Sequence, residues 1–221
     1  MMADEPGIDS SETLIRKVLE QNIRDSILPS NNRVSWEEGL EGNGMCIIHD
    51  NAEVQIYDRG IKEYYTLSGS EYKSYLKEVY GQDYVKYQDN EPDFYPFIED
   101  IPKAQMNEYF MLTGIKETAT GDFDGCVSLE KMEPDRNKTF GLANSEAANK
   151  LGISTNSVKS YMEENNLTWH ECGDRKHVIM IPSDINKTFA HTGGIAMQKN
   201  MDRFIESLNS ITKGKMVLYR K

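Results

Sequence analysis

The sequence predicts an α+β fold whose C-terminal part contains a β-hairpin followed by a helix. Residues 168–171 are expected to form a first strand and the apolar run at 178–181 a second, and polar, turn-forming residues separate them. Pro182 ends the second run, and the polar residues that follow it can cap a helix that reaches His191. His170 then lies on the first strand and His191 on the helix, an arrangement that can hold one metal ion beside a base.

Periodicity upstream of the hairpin predicts a mixed α/β N-terminal region. Apolar residues at helical spacing predict an amphipathic helix over 12–28. Strands are expected at 45–48 and 52–57, joined by a turn, and a further strand at 61–66. Ser70 is the expected cap of a helix that ends at Gly81.

Further helices are predicted on both sides of the hairpin. Residues 127–132 favour a strand, and residues 143–151 a short helix that Gly152 ends. Ser154 or Thr155 can cap a second helix that ends near residue 165. Two helices joined by so short a turn resemble a helix-turn-helix DNA reader, although such pairs are also common packing units. A last helix over 202–211 and a strand over 216–219 complete the chain.

The best candidate for a domain boundary is the stretch from Pro92 to Phe97, where two prolines stand among aromatic residues. It divides the chain into an acidic α+β region, residues 1–90, and a C-terminal domain, residues 91–221. The charge is also divided unevenly, with a net charge of −16 over residues 1–135 and +5 over residues 136–221. A basic C-terminal part fits a segment that handles a polyanion, with the acidic part as an adaptor or a cover for it, and mutual attraction of the two parts explains the division equally well.

Composition excludes several classes of protein. No apolar run approaches the roughly 18 residues that a membrane span requires. The acidic stretch at residues 1–6 lacks the apolar segment of a secretory signal peptide. Cys46, Cys126 and Cys172 are far apart and form no Cys-x-x-Cys pair, so neither a disulfide framework nor a zinc ribbon is expected.

The residues of the hairpin and the helix match the chemical needs of phosphodiester hydrolysis. The reaction needs a base to activate water, a cation to stabilise charge at the phosphate and groups that hold the backbone in line. The expected base and cation ligands are His170, Glu171, Asn186 and His191. The expected contacts to nucleic acid are Arg175, Lys176 and Lys187. Spacing alone also allows two buried, hydrogen-bonded histidines with no catalytic role.

Three stretches resemble a known nuclease family. They are Asn166 to Glu171, Met180 to Ile185 and Ala190 to Ala196, which together contain Trp-His, a strand that ends in proline, and His-Thr-Gly-Gly. This pattern is similar to the HNH/endonuclease VII nucleases with a conserved WHH motif, which stand at the C-termini of bacterial polymorphic toxins. The segment from Pro92 to Pro96 resembles the start of these domains, so the resemblance covers roughly residues 90–200.

The resemblance implies a ββα-metal (HNH) finger with flanking helices. It assigns His170 as the base and His191 as a ligand of one divalent ion. This chain has Glu171 where the motif has its second histidine, and Asn186 where the family has a helix histidine. Both Glu171 and Asn186 are therefore expected as metal ligands with catalytic roles. Orientation of His170 by Asn186 is the alternative for that residue, and the division of roles between His170 and Glu171 is open. Oxygen ligands favour Mg²⁺ or Mn²⁺ over Zn²⁺.

The predicted function is that of a metal-dependent HNH-type endonuclease, a phosphodiester hydrolase that acts as an antibacterial toxin or effector. DNA is favoured over RNA as the substrate, and a cognate immunity protein is the expected protein partner. Synthesis in the bacterial cytoplasm and export by a specialised secretion system without a signal peptide are expected. The alternatives are a non-catalytic DNA-binding protein that uses residues 143–165 and an inactive HNH relative.

Overall fold

A computed structural model describes residues 28–29 and 32–191 of the 221-residue chain. The helix predicted over 12–28 lies almost wholly outside these residues, as do the elements predicted over 202–211 and 216–219. Within the described residues, five α-helices accompany small antiparallel sheets. The α+β class is therefore confirmed.

Six strands precede residue 94 and form two antiparallel groups. They are β1 (Val34–Trp36), β2 (Met45–Ile48), β3 (Glu53–Asp58), β4 (Glu63–Ser68), β5 (Val85–Gln88) and β6 (Glu91–Asp93). Strands β1, β2, β5 and β6 form a four-stranded sheet in that order, while β3 pairs with β4. The predicted strands at 45–48 and 52–57 are present but belong to different groups, and the strand predicted at 61–66 lies slightly later.

Helix α1 (Gly69–Tyr80) follows β4 directly. Its N-cap is Ser68 rather than the predicted Ser70, because Ser68 and Glu71 form a reciprocal capping box. The backbone N–H of Ser68 donates to the Glu71 carboxylate at 2.8 Å. Gly81 ends the helix with a φ of 78°, as predicted from the sequence.

The next elements are α2 (Lys103–Thr113), β7 (Cys126–Ser128), α3 (Arg136–Leu151) and α4 (Thr155–Glu164). Helix α3 begins at Arg136 rather than at Ala143, because the Asp135 carboxylate accepts a hydrogen bond from the backbone N–H of Asn137 at 3.0 Å. Ser154 caps α4 as predicted. Strand β7 is shorter than the predicted strand at 127–132.

The predicted hairpin is present as β8 (Leu167–Glu171) and β9 (His177–Pro182), which pair antiparallel with His170 opposite Ile179. Strand β9 also pairs with β7 and is therefore the central strand of this sheet. Helix α5 (Ser183–Thr188) follows β9.

The helix predicted to reach His191 is shorter than expected. Helix α5 ends at Thr188, and Phe189 leaves the helical conformation with φ −101° and ψ 88°. In a continued helix, residues 189 and 191 would point about 200° apart, so only one of them could face the core. Ending the helix allows the Phe189 ring to be fully buried while His191 also turns inward.

The sheet that contains the hairpin separates two hydrophobic clusters. One cluster joins α2, α3 and α4 to the face that carries Trp169 and Met180. The other joins α1, α5 and the N-terminal strands to the face that carries Ile179 and Ile181. Because β9 is covered on both faces, its apolar run is continuous rather than alternating. None of the helices within residues 32–191 is long and apolar enough to cross a membrane.

Gly69 offers a test of how closely α1 packs on the N-terminal strands. A Cβ at this position would lie 1.8 Å from the carbonyl oxygen of His49. We expect Gly69→Ala to lower the free energy of unfolding by about 1–3 kcal/mol, because a backbone atom must move. Urea denaturation measures this change.

The matched control is Gly141→Ala, inside α3, where an added Cβ meets nothing within 4 Å. Alanine at this helical position should be neutral or should stabilise the protein by about 0.5–1 kcal/mol. Equal effects of the two substitutions would contradict the close approach of α1 to His49.

Candidate functional site

His170 lies in the middle of the hairpin and is buried. Its side chain is 3% exposed and points to the same face of the sheet as Ile179 and Cys172. The centroid of its ring is 4.6 Å from that of His191 and 4.7 Å from that of Phe94. The structure therefore brings together the two histidines that are far apart in sequence, here called the imidazole pair.

Phe94 holds the imidazole pair from the side of the N-terminal sheet. This residue lies between β6 and a 3₁₀ turn at Tyr95–Phe97, and it is 1% exposed. Its ring packs edge-to-face against both imidazoles, with a centroid distance of 5.3 Å to His191. The aromatic contacts restrict the orientation of both histidines.

The hydrogen bonds around the imidazole pair leave nitrogen and oxygen lone pairs unused. His191 donates from Nδ1 to the carbonyl oxygen of Phe189 at 2.9 Å, which leaves its Nε2 as an acceptor. Nδ1 of His170 and Oδ1 of Asn186 are both buried and take part in no well-aligned hydrogen bond among the described residues, although the Asn186 amide is close enough to His170 to raise its pKa. Buried polar atoms without well-aligned partners are rare in native proteins and are places where an ion or a water can bind.

Both histidines are held in the neutral state. Burial and, to a smaller extent, the nearby His191 lower the pKa of His170 to about 3, while the amide of Asn186 acts in the opposite direction. Burial likewise lowers the pKa of His191, which its hydrogen bond to Phe189 partly opposes. Neutral imidazoles can bind a metal ion, whereas imidazolium cannot.

Glu171 lies on the opposite face of the hairpin from His170, as adjacent strand residues must. Its side chain is 1% exposed, and its Oε1 is 3.0 Å from Nε of Arg136. Arg136 is the first residue of α3 and is 59% exposed, so its guanidinium pairs with Glu171 while also facing solvent. Arg136 is close enough to both imidazoles to lower their pKa.

A cleft of about 390 Å³ opens beside His170. Phe94 and Tyr95 line it together with three carboxylates from the end of β5 and from β6, namely Asp89, Glu91 and Asp93. Cys172 also lines the cleft, and burial raises the pKa of its thiol to about 12, consistent with its role as a small core residue. The acidic rim of the cleft attracts cations and repels phosphate.

The imidazole pair and Asn186 present atoms of the kinds that bind divalent cations. Within residues 32–191, no group of three or more histidine, cysteine, aspartate or glutamate side chains is arranged to hold a metal ion. The two neutral imidazoles and the buried amide oxygen of Asn186 still provide three atoms that could bind a metal ion. The predicted role of Glu171 as a ligand stays a prediction, because the structure pairs it with Arg136.

The three predicted nucleic-acid contacts lie in two places. Arg175 and Lys176 belong to the turn between β8 and β9, where Arg175 adopts a φ of 61° and Lys176 is exposed. Lys187 is exposed on α5, directly after Asn186. The glycines at 193 and 194 lie outside the described residues.

Two features of the site were not predicted from the sequence. They are the ion pair of Arg136 with Glu171 and the contact of the Phe94 ring with both histidines. Asp135 is a good N-cap residue and could have marked the start of α3, and hence the position of Arg136. Phe94 belongs to the Pro92–Pro96 segment that resembles the start of the nuclease domains, but no local signal places its ring between two histidines.

One of three comparisons with known proteins gives a match. Searches of curated proteins and of solved structures gave no match. Residues 85–193 match a family model described as the DNase/tRNase domain of colicin-like bacteriocin. This range contains Phe94, Arg136 and all the predicted site residues, and the match supports a nuclease domain of a bacteriocin-like toxin over residues 85–193.

Proposed function

We propose that this protein is a metal-dependent nuclease of the HNH type that hydrolyses phosphodiester bonds of nucleic acid, with DNA favoured over RNA. The observation that carries the proposal is the contact between the imidazoles of His170 and His191, 4.6 Å apart, within the range that matches the bacteriocin nuclease model. The buried Nδ1 of His170 and Oδ1 of Asn186 support it, because both are atoms of the kind that coordinate a cation.

His170, His191 and Asn186 would hold one divalent cation. Two imidazoles and one amide oxygen suit Mn²⁺ better than Mg²⁺, which prefers carboxylate and water ligands, and Zn²⁺ is the alternative. Such a cation, when bound, stabilises negative charge on the phosphate and on its leaving oxygen.

The remaining roles fall to the Arg136–Glu171 pair. A general base works best when its pKa lies near the working pH, so the strongly lowered pKa of His170 favours a ligand role for it. Glu171 is then the group that accepts a proton from water, because its carboxylate, although it leaves the hairpin on the opposite face from His170, is near enough to His191 to raise the pKa of that imidazole. Arg136 orients this carboxylate and presents a half-exposed guanidinium that can contact the phosphate, together with Arg175, Lys176 and Lys187.

The biological setting follows from the toxin resemblance. The nuclease acts on the nucleic acid of a target bacterium after synthesis in the bacterial cytoplasm and export by a specialised secretion system. A cognate immunity protein protects the producing cell.

No specific observation favours the DNA-reader alternative. Helices α3 and α4 do form a helix-turn-helix arrangement, but one face of this pair is buried against Trp169 and the rest of the core. The exposed positions of α4 include Asn156, Lys159 and Glu163, so the surface is not basic.

A cleavage assay across metals tests the proposal. The purified protein is incubated with Mg²⁺, Mn²⁺ or Zn²⁺ and with plasmid DNA or total RNA. We expect cleavage by the wild type and a loss of about 100-fold or more in His191→Ala, because a cation ligand is removed.

His49→Ala is the matched control, since His49 is a histidine of the turn between β2 and β3 and is not among the residues assigned to the site. It should cleave as the wild type does. Intact plasmid and RNA with every metal would instead indicate an inactive HNH relative.

A further inference from the structure

Tyr87 connects the N-terminal sheet to the residue that precedes His191. Its ring is 1% exposed in β5, and its hydroxyl donates to the carbonyl oxygen of Ala190 at 2.9 Å. Burial raises the pKa of Tyr87 well above its ordinary value, so the hydroxyl keeps its proton and remains a donor.

The carbonyl of Ala190 lies where the chain is no longer held by a helix. Helix α5 ends at Thr188. Its last helical backbone hydrogen bond runs from the N–H of Phe189 to the carbonyl oxygen of Ile185, at 3.1 Å. Beyond that point, the backbone direction determines where the imidazole of His191 lies.

The hydrogen bonds on the two sides of Ala190 depend on each other. Nδ1 of His191 donates to the carbonyl of Phe189, which fixes the tautomer with a free Nε2. A rotation of the peptide units around Ala190 would move the Phe189 carbonyl away from that imidazole. A donor that holds the Ala190 carbonyl therefore restrains both the position and the tautomer of His191.

We propose that the Tyr87 hydroxyl is a positioning group for the candidate nuclease site, keeping His191 against His170 in the tautomer that leaves Nε2 available to a cation. This inference rests on the proposed function. It assigns to the strand β5, within the region predicted as an adaptor or cover, a direct part in arranging the site.

The substitution Tyr87→Phe removes only the hydroxyl. The phenyl ring can keep the edge-to-face contact with Trp36, whose centroid is 4.9 Å away. Tyr80→Phe is the matched control, because the Tyr80 hydroxyl donates to Glu99 at 3.0 Å and not to the segment around His191.

Two measurements are made on each variant of the full chain. The first is the tautomer of His191 in metal-free protein, from long-range ¹H–¹⁵N correlation of the imidazole nitrogens. The second is the affinity for Mn²⁺ by titration calorimetry, with kcat and KM for plasmid cleavage beside it. Thermal unfolding shows whether both variants remain folded.

In Tyr87→Phe we expect a mixture of His191 tautomers, an Mn²⁺ affinity about 10-fold weaker and a lower kcat with an unchanged KM. Tyr80→Phe should match the wild type in all of these. A wild-type tautomer in Tyr87→Phe would overturn the positioning role, whatever the activity. A wild type that binds no Mn²⁺ and cleaves nothing would overturn the proposed function, while the tautomer measurement would still decide the role of Tyr87.

Discussion

The His170→Ala variant is expected to lose about 10²–10⁴-fold in nucleic-acid cleavage and to bind Mn²⁺ much more weakly than the wild type. The side chain is central to the site, since its ring contacts both Phe94 and His191 and its Nδ1 has no well-aligned hydrogen bond among the described residues. Plasmid cleavage and titration calorimetry measure the two quantities, and circular dichroism confirms that the variant is folded.

Glu171→Gln separates the two roles that the sequence left open. The amide keeps the shape of the side chain but cannot accept a proton in the reaction. If His170 is a ligand and Glu171 the base, Glu171→Gln should lose cleavage while its Mn²⁺ affinity stays close to that of the wild type. Unchanged Mn²⁺ binding in His170→Ala, combined with lost cleavage, would instead return the base role to His170.

Phe189→Ala is expected to cause the largest loss of stability, about 3–5 kcal/mol in the free energy of unfolding. The ring is fully buried in the cluster that joins α5 to the N-terminal strands. Its removal leaves a cavity next to His191, so Mn²⁺ affinity should fall as well. Urea denaturation gives the stability change.

Leu112→Ala is the control for this large-to-small substitution, because Leu112 is 76% exposed at the end of α2. Its effect should remain within about 0.5 kcal/mol. A loss of less than about 1 kcal/mol in Phe189→Ala would mean that Phe189 is not packed in the core as described.

The local features of the hairpin were predictable from the sequence. The apolar run of β9 with Pro182 at its end, and the Ser154 cap of α4, each involve only a few neighbouring residues. Such features are therefore easy to recognise in the sequence. The fully apolar run of β9 follows from its place between two cores. The sequence also indicated that His170 and His191 would meet. It placed His191 on the helix, whereas in the structure the helix ends at Thr188.

The features that were not predicted depend on contacts between distant residues. The ring of Phe94 and the hydroxyl of Tyr87 reach the site only because the N-terminal sheet packs against α5. The Arg136–Glu171 pair depends on the packing of α3 beside the hairpin. No spacing in the sequence encodes such contacts, since packing across the core decides them.

The hydrophobic cluster on the Ile179 face has a consequence for how such toxins can diversify. It includes residues from both sides of position 90, and Tyr87 reaches across to Ala190. Replacing the region before residue 90 with that of another protein would therefore change one wall of the cleft beside His170. An exchange that keeps the protein folded would have to end before β1, or the new region would have to pack equally well against α5.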